Sequence, residues 1–249
     1  MAASRRLLFV TSAVAPFTPK SEAATLVRSL ARGLQDDYEA RIMVPRYGCI
    51  SERENSLHEV IRLSGAEIDV GGDAHETLSV KVASLPDVRL QVYFMDNEAY
   101  FDRPGLAADE DGTPYADNAE RALFFTRAVM ETVRSLRWGP DVVHAFGWAG
   151  GLTPLLLRSE GNGQQLFDDA RTVFTPDAVD AGDGLTNAFV ERAGLSLNGA
   201  TGSSLVEAGL TRADASIYPA SLASDDQPQF AGDSDEQSRQ AAALYDTVL

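Results

Sequence analysis

What most narrows the fold of this chain is its N-terminal stretch, where an apolar run, a loop, an amphipathic segment and a second apolar run follow one another. Arg6 to Thr11 has the continuous apolar character of a parallel strand buried on both faces. Glu22 to Leu34 then places Leu26, Val27, Leu30 and Leu34 on one face at helical spacing, and Ala40 to Val44 returns to a strand pattern. Two parallel strands must be joined by a crossover, so strand, helix and strand in this order commit the chain to a parallel sheet with helices laid upon it. At 249 residues, 44% of them apolar, the chain is long enough for one large α/β domain with a proper core.

The turn between the first strand and the first helix is where such folds bind phosphate. A glycine-rich turn lets backbone amides and the positive helix end approach the anion. This chain instead puts Ser21 and Glu22 there. A carboxylate at a helix start favours the helix itself, but it repels a diphosphate. Lys20 is either a long-armed partial compensation or a solvated surface lysine.

Further along, the runs LHEVIRL, ETLSVKVAS and VRLQVYFM between Leu57 and Phe94 follow one another without helical periods, which predicts antiparallel pairing inserted into the parallel sheet. Asn97 to Asp117 carries turn signals at Pro104-Gly105, Asp111-Gly112 and Pro114 and reads as a long loop. Asn118 to Arg137 reads as an amphipathic helix, N-capped by Asp117 or Asn118 and stopped by Gly139-Pro140. Asp141 to Ala145 and Thr172 to Thr175 read as strands, Trp148 to Arg158 as a helix, and Ala213 to Tyr218 as the last strand. The division expected is one domain over residues 1–220, then an acidic linker and C-terminal helix over 221–249. The fold class expected is α/β, doubly wound, with a mainly parallel, Rossmann-like sheet and an antiparallel insertion.

Charge removes one class of partner. A net charge of −16 leaves no basic footprint for nucleic acid. Lys20 and Lys81 are the only lysines, every other basic residue being arginine, which fits either a proteome adapted to high salt or a GC-rich genome. Cys49 is the sole cysteine, so an intramolecular disulfide and a cysteine-based metal site are both excluded, and a reducing cytoplasm is the expected location. The N-terminus has the look of a signal peptide, but its removal would delete the first strand. No run approaches the ~20 apolar residues of a membrane span.

Several segments together carry a family resemblance. Ser12, Val14, Ala15, Pro16 and Phe17 are followed by Tyr100-Phe101-Asp102-Arg103-Pro104-Gly105, then Asp117-Asn118-Ala119-Glu120-Arg121, then Arg137-Trp138-Gly139-Pro140-Asp141-Val142-Val143-His144. Ala208-Gly209-Leu210, Ala213-Asp214 and Tyr218-Pro219 complete the series. In order and spacing, from about Arg6 to Ala220, these resemble the first Rossmann-like domain of bacterial glycogen and starch synthases. The resemblance implies the N-terminal half of a glycosyltransferase-B fold. Its family chemistry is glucosyl transfer from ADP-glucose to an α-1,4-glucan, with retention and with no metal or other cofactor.

The departures lie at the cleft. Where the family reads K-T-G-G, this chain has Pro19, Lys20, Ser21 and Glu22. Where it reads x-H-D-W-H-x-G-L after the matched His144, this chain has Ala145, Phe146, Gly147, Trp148, Ala149, Gly150, Gly151 and Leu152. Where it reads F-T-V-H-N, this chain has Phe174, Thr175, Pro176, Asp177 and Ala178. We therefore expect no catalytic residue, and a vestigial cleft built from Ser12, Lys20, Ser21, Glu22, His144, Gly147, Trp148, Ala149 and Asp177. In the family a second domain supplies most nucleotide contacts, and this chain is expected to lack it.

The expected role is a glucan- or partner-binding module that is not catalytic alone, with weak or no ADP-glucose binding. The alternative is an active half-enzyme completed in trans by a separate chain, and a third reading is a sensor of nucleotide sugars or small anions. The expected partners are an α-glucan or a partner glycosyltransferase chain, with a homo-oligomer possible in principle. Phe146, Gly147, Ala149 and Pro176 are expected to make the crevice apolar, to be covered by the C-terminal helix over Gln237 to Val248 or by a second copy.

Overall fold

A computed structural model describes residues 4–161, 165–182, 184–195 and 202–249. The first βαβ unit forms as its pattern dictates: β1 is Arg5–Thr11, α1 is Glu22–Gly33 and β2 is Tyr38–Pro45. Leu26, Val27, Leu30 and Leu34 are all buried, so the apolar face read from the sequence is the face that packs. Two-residue β3 (His58–Glu59), β4 (Ala66–Gly71), β5 (Ala74–Ser84) and β6 (Gln91–Asp96) make the insertion. There β5 runs antiparallel to β3, β4 and β6, whereas β6 pairs parallel with β2. LHEVIRL forms only the two-residue β3 and then a 3-10 turn at Ile61–Leu63, and β4, which the runs did not include, supplies the outer hairpin.

The loop after β6 contains the single-turn α2 (Glu98–Phe101), followed by α3 (Asn118–Leu136). Asp117 sits at the α3 N-cap without capping it, because its carboxylate is held two-pronged by Arg103 at 2.7 and 2.6 Å. The chain continues with β7 (Val142–Phe146), α4 (Gly147–Gly150), α5 (Thr153–Ser159) and β8 (Arg171–Thr175). The single helix expected from Trp148 to Arg158 is thus two, joined through Gly151 and Leu152. Then come α6 (Asn187–Ala193) and α7 (Leu205–Arg212), neither of which the periodicity signalled, the two-residue β9 (Ala215–Ser216) and α8 (Ser234–Val248).

The strand order β3-β5-β6-β2-β1-β7-β8-β9, with β4 beside β5, has a parallel core from β6 to β9. From β1 the chain steps first to β2 on one side, and later from β6 across to β7 on the other. Right-handed crossovers in opposite directions put their helices on opposite faces. Accordingly α1 packs with α8, while α3, α4, α5 and α7 pack with one another. The sheet is therefore doubly wound, and its order reverses between β1 and β7, where folds of this kind open a crevice. Among the described residues no helix is long and apolar enough to cross a membrane.

The C-terminal helix is held close. Gly33 on α1 lies so near α8 that an added Cβ would stand 2.8 Å from the Cβ of Ser238. Tyr245 is fully buried, edge-on to Tyr38 with ring centroids 5.8 Å apart, and Arg5 pairs with Asp246 near the helix end.

Candidate functional site

Three strand ends meet at the reversal point, each followed by one polar or special residue. After β1 comes Ser12, after β7 Gly147, and after β8 Pro176 and Asp177. The Ser12 hydroxyl donates to the Phe146 carbonyl at 2.9 Å and accepts from the Ala149 amide at 3.2 Å, which ties the first turn of α4 to β1. Asp177 Oδ2 accepts from the Trp148 amide at 3.3 Å. Gly147 has φ +65°, a left-handed conformation that favours glycine, and it lets the Asp177 carboxyl lie directly over the backbone. Burial pushes the Asp177 carboxyl up to about 6, partly opposed by the hydrogen bond from the Trp148 amide.

Of these residues, Ser12, Trp148 and Asp177 line a cavity of about 210 Å³ together with Glu22, Leu106, Val179 and Pro219. Ser21 caps α1 by accepting the Ala24 amide at 3.1 Å, and Glu22 occupies its first turn. The Ser221 hydroxyl donates to Glu22 Oε2, so the segment after β9 is fastened across the crevice mouth. Lys20 lies outside this cavity. It is exposed and borders an adjacent groove with Phe230, Asp233 and Gln237. The N-terminus of α1 therefore presents a serine cap and a carboxylate, and among the described residues no basic side chain lies in the cavity wall.

His144 is not a cleft residue. Its Nδ1 is 2.7 Å from the Tyr245 hydroxyl and its Nε2 2.8 Å from Thr175 Oγ1, while the ring stacks on Phe146 with centroids 4.0 Å apart. Burial holds the imidazole well below its ordinary value, so it is neutral. The reason is the pleat: His144 and Phe146 point to the α8 face of β7, away from the crevice. Phe146 thus lines no part of the cavity, and neither do Gly147, Ala149 and Pro176, contrary to the expectation that these four would make the crevice apolar. Nor does α8 cover it: among the described residues Pro219, Ser221 and Leu222 form that wall, and α8 lies against α1 instead.

The sequence reading passed over Tyr47 and Arg121 as site residues. Arg121 on α3 is fully buried without a carboxylate partner; it donates to the Tyr100 carbonyl at 2.8 Å and to Asn118 Oδ1 at 2.5 Å. Its guanidinium lies 5.0 Å from the Trp148 ring, 5.1 Å from Tyr115 and 5.4 Å from Phe101, and burial lowers its pKa. Burial likewise raises the Tyr47 phenol, which is electrostatically coupled to Arg121 and Asp177. Trp148 Nε1, Asp177 Oδ1, Arg121 Nη2 and Tyr47 Oη are all buried with no hydrogen-bond partner among the described residues. Native proteins satisfy nearly all such groups, so a cluster of four marks a site. The signal that could have found Arg121 was present, since it closes the Asp117-Asn118-Ala119-Glu120-Arg121 stretch.

Among the described residues no group of His, Cys, Asp and Glu is arranged to hold a metal ion. What the cavity wall offers is the serines Ser12, Ser21 and Ser221, the two carboxyls of Glu22 and Asp177, the Trp148 indole and apolar groups. That combination suits a neutral, hydroxyl-bearing ligand and is adverse to an anion.

Comparison with known proteins agrees with the geometry. The starch synthase catalytic domain family matches residues 6–215. The chain is 41% identical over 172 residues to the glycogen synthase of Chlorobium limicola and 38% identical over 172 residues to that of Pelodictyon phaeoclathratiforme. Each alignment covers 68% of this chain and 35% of the relative, so the chain spans about a third of the length of the curated relatives it matches. The catalytic domain of starch synthase IV from Arabidopsis thaliana, solved with ADP and acarbose, superposes with a TM-score of 0.69 at 16% identity, covering 86% of this chain and 45% of that one, which shows the shared fold. The match runs from the first strand to the last and takes in the strand ends that build the crevice; this chain belongs to the starch synthase catalytic domain family, as a glycosyltransferase domain of the glycogen and starch synthase type.

Proposed function

We propose that this domain binds an α-glucan through its crevice and, taken by itself, does not transfer glucose from ADP-glucose. The observation that carries the reading is the crevice wall: about 210 Å³ lined by Ser12, Trp148, apolar groups and the two carboxyls of Glu22 and Asp177. Pockets that enclose larger ligands run to roughly 300–1,000 Å³, so a nucleotide sugar has no room to be enclosed here, whereas a single sugar unit is closer in scale. A diphosphate approaching α1 meets Glu22, held by Ser221, in place of glycine amides and a lysine. Charge repulsion and lost amide contacts act in the same direction. A neutral glucan avoids both.

Titration calorimetry with ADP-glucose and with maltooligosaccharides, in high-salt buffer, separates donor from acceptor. Maltooligosaccharides give measurable heats, and ADP-glucose binds no more tightly than about 1 mM. Micromolar ADP-glucose binding, or no maltooligosaccharide binding, overturns the reading.

A further inference from the structure

We propose that Asp177 is the sugar-binding carboxyl of this crevice, standing in the space that a side chain at position 147 would take. The proposal rests on the glucan reading above and names the group that would recognise the ligand. The family pattern that the sequence resembles would put the aspartate of H-D-W-H at Gly147 and the histidine of F-T-V-H-N at Asp177. On sequence alone that is one carboxylate lost and one gained, on neighbouring strands.

The structure joins the two changes. A Cβ built on Gly147 falls onto Asp177 Oδ2 and Ser12 Oγ and stands 2.6 Å from Asp177 Cγ, closer than real Cβ contacts come. The Asp177 carboxyl therefore fills the volume that a residue-147 side chain would need, and the two positions cannot both carry one in this arrangement. One carboxyl oxygen is anchored, since Oδ2 accepts the Trp148 amide. The other, Oδ1, is buried with no hydrogen-bond partner among the described residues, and Asp177 lines the cavity with Ser12 and Trp148. A carboxyl in a cavity wall, with one oxygen anchored and the other unused, is the kind of acceptor that a sugar hydroxyl can pair with.

The surrounding charges are few. Glu22 on α1 shares the cavity wall, Tyr47 after β2 and Arg121 on α3 lie behind Trp148, and His144 on β7 faces the opposite side of the sheet. Because burial raises the carboxyl to about 6, it is largely ionised at pH 7 and loses its acceptor charge in mild acid.

The test combines maltotriose binding with thermal melting on four proteins: the wild type, Asp177→Ala, Gly147→Asp and the double variant. Asp177→Ala weakens maltotriose binding at least tenfold while the melting temperature moves by only a few degrees. Gly147→Asp melts lower than the wild type, and its Tm loss is smaller in the Asp177→Ala background than in the wild type, because the competing carboxyl has gone. Binding by the wild type weakens as pH falls through about 6; Asp177→Asn abolishes this dependence and Glu22→Gln preserves it. Unchanged maltotriose binding in Asp177→Ala, or additive melting losses in the double variant, overturns the proposal while the glucan reading stands. A wild type that binds no maltooligosaccharide overturns both the glucan reading and the ligand role of Asp177.

Discussion

Two polar clusters meet near the carboxyl ends of the neighbouring strands β7 and β8, one around His144 and Thr175 and the other around Trp148 and Asp177 just beyond, and they are built on opposite principles. In the first, His144 has a partner for each ring nitrogen, Tyr245 from α8 and Thr175 from β8, and its ring is stacked on Phe146. In the second, Asp177, Trp148, Arg121 and Tyr47 each keep one buried polar atom unpartnered among the described residues. A satisfied buried network contributes to stability and rigidity, whereas an unsatisfied one costs about 1–3 kcal/mol per group and persists where something else selects for it. The first cluster fastens the C-terminal helix to the sheet; the second adjoins the crevice, with Trp148 and Asp177 in its wall and Arg121 against the Trp148 ring. Histidine at a strand end of a transferase domain invites a catalytic reading, and here the tertiary contacts assign that residue to the scaffold.

The largest effect that sharpens this contrast comes from the sealed cluster. His144→Ala leaves the Tyr245 hydroxyl and Thr175 Oγ1 without their shared partner and opens a cavity beneath α8. It should destabilise the fold by at least about 3 kcal/mol, read by denaturant melts. A loss below about 1 kcal/mol would break the assignment of His144 to the scaffold.

Next in size is a pH effect in which the two clusters have opposite signs. Asp177 has its folded-state pKa raised to about 6 from 3.8, so the folded state holds the proton more tightly than the unfolded chain. Its ionisation therefore costs stability as pH rises through that window, and Asp177→Asn should gain up to about 3 kcal/mol at pH 7, with the gain closing by about pH 4. His144 has its folded pKa lowered from 6.5, so the unfolded chain takes up the proton first and stability falls as pH drops below about 6.5. Asp177→Asn removes the opposing contribution, and its stability should fall more steeply than that of the wild type between pH 6 and 4. Parallel profiles for the two proteins would remove the contrast.

The smallest effect isolates one hydrogen bond. Tyr245→Phe keeps the ring packed on Tyr38 but leaves His144 Nδ1 unpaired, at a cost of about 1–2 kcal/mol. A far-ultraviolet spectrum unchanged at 20 °C, with a lowered melting point, is the expected result. A loss as large as that of His144→Ala would mean that α8 is held by the hydroxyl alone.

The sequence by itself was enough for the sheet and for the family. The strands that form the parallel core are continuous apolar runs, and α1 and α3 announce their buried faces by spacing, because a two-sided sheet and an amphipathic helix both write their burial into local order. The motif stretches from Tyr100 to His144 carried the family. Short elements escaped: α6, α7 and β4 are too brief or too mixed to show a period, and the helix read from Trp148 to Arg158 breaks at Gly151, whose added Cβ would stand 2.7 Å from the Leu205 carbonyl carbon.

The site was legible only as a set of positions. Ser12, Ser21, Glu22, Gly147, Trp148, Ala149 and Asp177 do gather at the β1, β7 and β8 ends, whereas Lys20 and His144 lie elsewhere. Which polar atoms are paired and which are left open, that Asp177 occupies the space over Gly147, and that Pro219 to Leu222 closes the crevice while α8 packs behind it were decided by the tertiary structure. Burial and hydrogen-bond pairing are properties of atoms brought together from distant parts of the chain, and no local pattern of residues encodes them.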